Sequence, residues 1–133
     1  MFFKNESVQS FQTAELKISG MRETEIYELI CGGGTTEVSS YVLRYASGKD
    51  ERRLCKQVTV DTSEVIGLLN DCRVMSWNGF SGKNPPHVLD GYMFTFRAIV
   101  NDGKKIYADG SNNYPKHYRD FKTKITEYLN AAQ

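Results

Sequence analysis

Residues 90–129 read DGYMFTFRAIVNDGKKIYADGSNNYPKHYRDFKTKITEYL, and this stretch decides the fold class of the chain. Between residues 92 and 100, every second residue is aromatic or aliphatic, which predicts a strand with one buried face. The Asn-Asp-Gly run at 101–103 is typical of a tight hairpin turn. A returning antiparallel strand is therefore predicted at residues 104–109.

The end of the same stretch predicts a helix. Pro115 stands near the expected first helical position, where a backbone N–H is not needed. Aromatic and aliphatic residues then recur at helical spacing, with charged residues between them. The predicted apolar stripe consists of Tyr114, Tyr118, Phe121, Ile125 and Tyr128.

The first half of the chain predicts four further strands joined as a meander. Alternating apolar and polar residues mark each strand, and glycines or other turn residues follow. In the fourth strand Leu54, Val58 and Val60 share one face while Lys56 interrupts the pattern, as is common in an edge strand. The predicted strands span residues 14–19, 24–31, 36–46 and 52–60.

A helix is predicted after the fourth strand. Asp61 and Glu64 fit a capping box, in which each side chain binds a backbone N–H near the other residue. The helix should end before Ser76, and its apolar stripe consists of Val65, Leu68, Leu69 and Cys72. The element order is thus β-β-β-β-α-β-β-α. Residues 1–133 are predicted to form one α+β domain, with an antiparallel sheet of about six strands and both helices on one face.

Composition limits the classes of function. With 17 basic and 16 acidic residues, the net charge of +1 lacks the strongly basic character of a dedicated nucleic-acid binder. The three cysteines, Cys31, Cys55 and Cys72, have no CxxC spacing and fit neither a disulfide framework nor a zinc site. We expect no metal, no cofactor, no signal peptide, no membrane span and a cytoplasmic location.

The segment SWNGFSGKNPPHVLDG at residues 76–91 is a long loop for a compact domain, and loops of that length are usually functional or mobile. Aromatic residues near a positive charge are the residue types that anchor protein interfaces. The predicted partner-binding residues are Trp77, Phe80, Lys83, His87 and Asp90. The alternative for Trp77 and Phe80 is that they cover the end of the hydrophobic core.

A catalytic function is the first alternative. Asp90 is near enough in sequence to orient His87 as a base, as a small hydrolase or nuclease would require. A two-histidine nuclease would instead pair His87 with His117 as base and acid. The sequence places no serine or cysteine as a nucleophile, so no catalytic residues are assigned.

A small-ligand or nucleic-acid-binding domain is the second alternative. Basic and aromatic residues interleave in a pattern that would suit single-stranded nucleic acid. The residues are Lys104, Lys105, Tyr107, Lys116 and Tyr118. Nearby aspartates dilute this charge, so nucleic acid is not the favoured partner. The glycines at 32–34 lack the following lysine and hydroxyl residue of a phosphate-binding loop.

Three motifs carry a resemblance: MSWNGF at 75–80, VLDGYMF at 88–94 and DGSNNYP at 109–115. In these motifs, residues 75–129 resemble the ends of small uncharacterised proteins of Gram-positive and gut bacteria. Those proteins also run from a short strand through a G-S-N-x-Y-P turn into a last helix. The resemblance implies a bacterial or phage-derived domain and brings no activity with it.

The favoured hypothesis is a noncatalytic module that binds another protein, as a small inhibitor or accessory factor of bacteria or their mobile elements. Near-neutral charge, no cofactor signature and a long aromatic loop suit a protein that occupies a partner's surface. A homodimer through an edge strand, at 52–60 or 104–109, is also open.

Overall fold

The computed structural model describes residues 7–20, 23–46, 48–82, 92–111 and 113–131. In chain order the elements are β1 (Phe11–Ser19), β2 (Thr24–Cys31), β3 (Thr35–Ala46), β4 (Lys49–Asp61), α1 (Thr62–Asp71), a 3₁₀ turn (Val74–Trp77), β5 (Ser81–Gly82), β6 (Met93–Val100), β7 (Lys104–Ser111) and α2 (Tyr118–Ala131). The strands form one sheet in the order β4-β3-β2-β1-β6-β7-β5. The α+β class is confirmed, and the additional seventh strand is the two-residue β5, which pairs in parallel with β7.

The two helices pack on one face of the sheet, which we call the inner face. Alternate residues of the strands, such as Leu16, Val38 and Phe96, point to this face and are fully buried. Helix α1 contributes Val65, Leu68 and Leu69 to the same core, and helix α2 contributes Phe121, Ile125 and Leu129. The opposite face, called the outer face, carries mostly half-exposed and exposed side chains, among them Glu15 and Arg97.

The two edges of the sheet differ. A strap at residues 78–82 closes the β7 edge: Gly79 N–H donates to the Tyr107 carbonyl (2.9 Å), and Asp109 N–H donates to the Phe80 carbonyl (3.0 Å). Strand β4 pairs with β3 and forms the other edge, so the predicted edge position of this strand is confirmed. We expect the covered edge to resist strand addition better than β4 does.

A β-bulge in β4 corrects the predicted face of Leu54. The register against β3 shifts between Ser40 and Tyr41, which leaves one extra residue in β4. An extra residue reverses the facing of the side chains that precede it. Leu54 therefore lies on the outer face with 49% of its surface exposed, whereas Val60 is buried on the inner face.

The start of α1 lies where the sequence predicts it, but the predicted capping box is wrong. Asp61 occupies the N-cap position and its side chain makes no capping hydrogen bond. Asp61 still pairs with Thr35 of β3, so the chain passes directly from strand to helix. The Thr62 N–H is instead bound by the Gly34 carbonyl at 3.0 Å.

Helix α2 begins at Tyr118, later than the sequence predicts. Tyr114 and Pro115 precede the helix, and the Tyr118 N–H donates to the Pro115 carbonyl at 3.2 Å. The helix then crosses the inner face from β6, where Tyr118 contacts Phe94, towards β4. Neither described helix combines the length and the apolar character that a membrane-crossing helix requires.

Candidate functional site

A cleft of ≈ 510 Å³ lies between the first turn of α2 and the end of the inner sheet face that α2 leaves uncovered. Its aromatic wall consists of Tyr92, Tyr114 and Tyr118. The other side chains at its lining include His117 and four charged residues, Glu25, Arg119, Asp120 and Lys122. The combination of an aromatic wall with a few charged groups is typical of binding sites.

The aromatic wall is built in layers from the core outwards. Tyr118 is buried, and its ring is stacked on Tyr114 with centroids 4.5 Å apart and planes 21° apart. Phe94 lies behind both rings, at 5.0 Å from Tyr118 and 5.4 Å from Tyr114. Tyr114 remains 39% exposed and Tyr92 59% exposed, so the outermost rings are held from below and open to solvent above.

Two glycines allow close packing beside the cleft. The Tyr92 ring packs on Gly20, where an added Cβ would lie 2.7 Å from the ring. A Cβ at Gly110 would overlap the Asn113 carbonyl oxygen and would also press on the Phe94 ring. A side chain at either position would therefore displace one side of the cleft.

His117 stands at the mouth of the cleft in an uncommon backbone conformation. Its φ is +71°, in the left-handed region that residues other than glycine rarely adopt. Its Nδ1 lies 3.4 Å from Asp120 Oδ2, so the left-handed conformation places the imidazole beside that carboxylate. The His117 carbonyl accepts the Phe121 N–H at 3.0 Å, as expected for a residue that begins a helix.

Burial changes the ionisation of the aromatic wall. Burial raises the pKa of Tyr118, and the neighbouring Tyr114 adds to the shift. The pKa of Tyr114 is also raised, by burial and then by Tyr92. Both phenols are therefore uncharged at neutral pH and present hydroxyls that donate and accept hydrogen bonds.

The structure decides between the two alternatives for Trp77. Its side chain is 1% exposed, with edge-to-face contacts to Phe96 at 4.9 Å and Phe121 at 5.6 Å. Its Nε1–H donates to the Lys116 carbonyl at 3.0 Å. Trp77 is thus a core residue, and in this arrangement its ring supports Tyr118 of the cleft, 6.3 Å away, instead of facing a partner.

Phe80 also lies beneath the cleft. It is half-buried, packs against the core and lies 6.2 Å from Phe94. The other three predicted partner-binding residues, Lys83, His87 and Asp90, lie outside the described residues. Any hydrolase or nuclease role for His87 and Asp90 therefore stays a prediction.

The residues considered for nucleic-acid binding do not form one surface. Tyr107 lies on the outer face, where the Arg97 guanidinium lies 5.6 Å from its ring centroid. Tyr118 is buried on the inner face. Because these two aromatic side chains are on opposite faces of the sheet, they cannot stack on neighbouring bases of one strand.

Sequence reasoning missed the residues that open onto the cleft. The sequence predicts Tyr92 as part of a strand and Tyr114 as part of the apolar stripe of a helix. One signal was present: the residue before a proline avoids helical backbone angles, so Tyr114 is poorly suited to a helix. The pairing of Tyr92 with Tyr114 has no local signal, because 21 residues separate the two in the sequence.

The resemblance of residues 75–129 to small bacterial proteins stays a prediction. No protein-family model matches the chain, and no curated protein and no solved structure shows significant similarity to it.

Proposed function

We propose that this protein is a noncatalytic binding module that holds a segment of a partner protein in the cleft between α2 and the inner sheet face. One observation carries the proposal: Tyr92 and Tyr114 are exposed at the mouth, while Tyr118, on which Tyr114 is stacked, is fixed in the core. Tyrosine, tryptophan and arginine are the residues that contribute most at protein interfaces. The cleft offers two tyrosines and Arg119 together.

Rigid support of the tyrosines favours affinity. A side chain that is already ordered loses little entropy on binding, and each flexible side chain that must be ordered costs about 0.5–1.5 kcal/mol. Tyr114 is held by Tyr118 and Phe94, and Tyr92 is seated on Gly20. A small inhibitor or accessory factor would use such a surface to occupy a partner without turning over a substrate.

The experiment is affinity capture of the tagged protein from a lysate of its own source cells, with mass spectrometry of the retained proteins. The test variant is Tyr92→Ala with Tyr114→Ala. The matched control is Tyr107→Ala, which removes a tyrosine of similar exposure from the outer face. We expect a stoichiometric partner that the control retains and the test variant loses, with melting temperatures close enough to show that all variants are folded.

Retention of the partner by the double tyrosine variant would contradict the proposal. Loss of the partner that occurs only together with loss of folding would also contradict the proposal, and circular dichroism would reveal the unfolding. Because Tyr92 is the more exposed of the two, Tyr92→Ala alone gives the cleanest separation of binding from stability.

A small organic ligand is the second candidate, supported by the volume of the cleft. A cavity of ≈ 510 Å³ lies within the range of about 300–1,000 Å³ that small-molecule sites occupy. Mass spectrometry of compounds released on denaturation would identify a ligand that co-purifies with the wild-type protein and not with the tyrosine variant. The hydrolase alternative has its own test, because His87→Ala should abolish any measured hydrolysis while the fold persists.

A further inference from the structure

A groove of ≈ 360 Å³ lies between the two helices and shares only Asp120 with the lining of the tyrosine cleft. Its residues recur every three or four positions along each helix, so each helix presents one stripe to the groove. The stripe of α1 consists of Glu64, Gly67, Leu68, Asp71 and Cys72, and that of α2 consists of Asp120, Lys124 and Tyr128. Leu68 and Cys72 are buried while the acidic residues are exposed, so the floor is apolar and the rim is charged.

The rim carries an excess of negative charge. Three carboxylates, those of Glu64, Asp71 and Asp120, accompany one ammonium group, that of Lys124. Lys124 already pairs with Glu127 at 3.7 Å, whereas Glu64 and Asp71 form no ion pair with any residue that the structure describes. The tyrosine cleft and a pocket on the outer face of the sheet each hold two carboxylates and two cations. Of these three cavities, the groove between α1 and α2 is therefore the one whose charge favours a cation.

The carboxylates stand at both ends of the groove. The pKa of the Cys72 thiol is raised first by burial, then by Asp120 and then by Asp71, so both carboxylates act on one sulfur atom at the end of α1. Glu64 stands at the start of α1, where it raises the pKa of the Tyr128 phenol after the larger effect of burial. A segment with positive charges on both sides of its centre would meet a carboxylate at each end.

Gly67 lies at the middle of the α1 stripe. Glycine is the least favourable helix residue apart from proline, and the φ of Gly67 is not positive, so the backbone does not require a glycine here. A Cβ at this position would meet no described atom within 4 Å, so packing within the described part of the chain does not require a glycine either. The missing side chain leaves space above the floor at the centre of the groove.

We propose that the groove between α1 and α2 binds a basic segment of a partner protein, in which lysine or arginine residues flank a leucine or another apolar residue. The apolar residue enters the space over Gly67 and packs on Leu68. The flanking cations pair with Asp71 and Asp120 at one end and with Glu64 at the other. Lysine and arginine suit this groove because their alkyl stems pack on apolar surface while their charges reach the rim. This second surface goes beyond the proposed function and does not depend on occupancy of the tyrosine cleft.

The test uses the full chain and three synthetic peptides that differ only in charge. The basic probe is Gly-Lys-Arg-Leu-Arg-Lys-Gly, the neutral probe replaces its cations with glutamine, and the acidic probe replaces them with glutamate. Binding is followed by amide NMR shifts of ¹⁵N-labelled protein and by anisotropy of fluorescein-labelled peptide. We expect the basic probe to bind most tightly and to shift the amides of Glu64, Gly67, Asp71, Lys124 and Tyr128.

The charge of the rim is tested by Glu64→Gln with Asp71→Asn. Loss of two exposed ion pairs of the usual strength should weaken the basic probe roughly twofold to thirtyfold at low salt. The effect should be smaller at high salt, because exposed ion pairs are screened. The matched control is Asp50→Asn with Glu51→Gln, which removes the same charge from exposed residues of β4 and should leave the affinity unchanged.

The space at the centre of the groove is tested by Gly67→Gln. The new side chain would occupy the position of the apolar residue of the probe, so the variant should lose most of its affinity. Glutamine is a much better helix former than glycine, so the variant should be at least as stable as the wild type. Loss of binding without loss of stability cannot come from unfolding.

Four outcomes would each overturn the proposal. The first is a neutral or acidic probe that binds as tightly as the basic probe, and the second is that no probe shifts the groove amides at millimolar concentration. The third is that the Glu64 and Asp71 variant weakens binding no more than the β4 control does. The fourth is that Gly67→Gln binds the basic probe as the wild type does. The lysate capture with Tyr92 and Tyr114 variants tests the function of the cleft separately, because neither tyrosine lines the groove.

Discussion

Replacing Trp77 with alanine should destabilise the whole domain. The indole is buried against Phe96 and Phe121, so its removal leaves a space between these rings. Truncations of this kind cost about 3–5 kcal/mol, because the lost burial is followed by a cavity that relaxes only in part. Domains of this size have a free energy of unfolding of about 5–15 kcal/mol, so the variant loses a large share of its stability.

Trp77→Phe is the matched comparison. Phenylalanine keeps an aromatic ring in the core but removes the Nε1–H that donates to the Lys116 carbonyl. The lost hydrogen bond costs about 0.5–1.5 kcal/mol. Together with the smaller ring, this gives roughly 1–3 kcal/mol, less than the alanine variant. Alanine should lower the melting temperature by roughly 10–30 °C and phenylalanine by clearly less.

Urea denaturation followed by far-ultraviolet circular dichroism measures all three proteins on one scale. Trp77 is the only tryptophan, so indole fluorescence of the wild type reports the same core independently. The slope of unfolding free energy against urea should stay constant if only the folded state is affected. A loss of less than about 1 kcal/mol in Trp77→Ala would refute the core assignment and return this side chain to the candidate interface.

Three further predictions follow from single residues. Gly110→Ala should destabilise the protein by more than about 1 kcal/mol, because the added Cβ overlaps the Asn113 carbonyl. Gly67→Ala in α1 meets open space and should stabilise the protein by about 0.5–1 kcal/mol. Urea unfolding measures both variants, and equal effects would contradict the close approach at Gly110. A thiol reagent at pH 8 should modify exposed Cys55 quickly and Cys72 only on unfolding. Cys72 is buried, and its pKa is raised to about 11 by burial and then by nearby aspartates. Rapid modification of Cys72 in the folded protein would refute this. Stability should fall as pH rises from about 9 to about 11. In this range the Cys72 thiol of the unfolded chain, with an ordinary pKa of 9.0, releases its proton while the folded one keeps it. Urea midpoints measure the loss of stability, and Cys72→Ala should make that loss smaller.

Local patterns predict those parts of the fold whose structure is set by nearby residues. The β6–β7 hairpin follows from the alternation at 93–100 and the turn at 101–103, where Asn101 and Asp102 adopt positive φ. The two-residue β5 has no pattern of its own, since Ser81 and Gly82 become a strand only by pairing with β7. The bulge in β4 is likewise fixed by pairing with β3, so the sequence placed Leu54 on the wrong face.

The candidate site was predictable in region but not in its exposed residues. The sequence predicts Trp77 and Phe80 of the aromatic loop as site residues, and both contact rings that belong to or lie behind the aromatic wall of the cleft. Their burial depends on contacts with β6 and α2, which are distant in sequence and leave no local trace. Tyr92 and Tyr114 meet because one precedes β6 and the other precedes α2, a proximity that only the packing of α2 on the sheet creates.

Because core and cleft share one series of aromatic contacts, a loss of binding does not by itself identify a contact residue. Trp77 lies against Tyr118, and Tyr118 is stacked on Tyr114, so a lesion in the core can tilt the exposed ring without touching a partner. Neighbours in one packed series have coupled effects, whereas distant residues have additive ones. Tyr92 packs on Gly20 and is the more exposed of the two tyrosines at the cleft mouth. If a Tyr92 variant loses binding at unchanged stability, Tyr92 is an interface residue. If a Trp77 variant loses both binding and stability, Trp77 acts as a core residue that supports the interface.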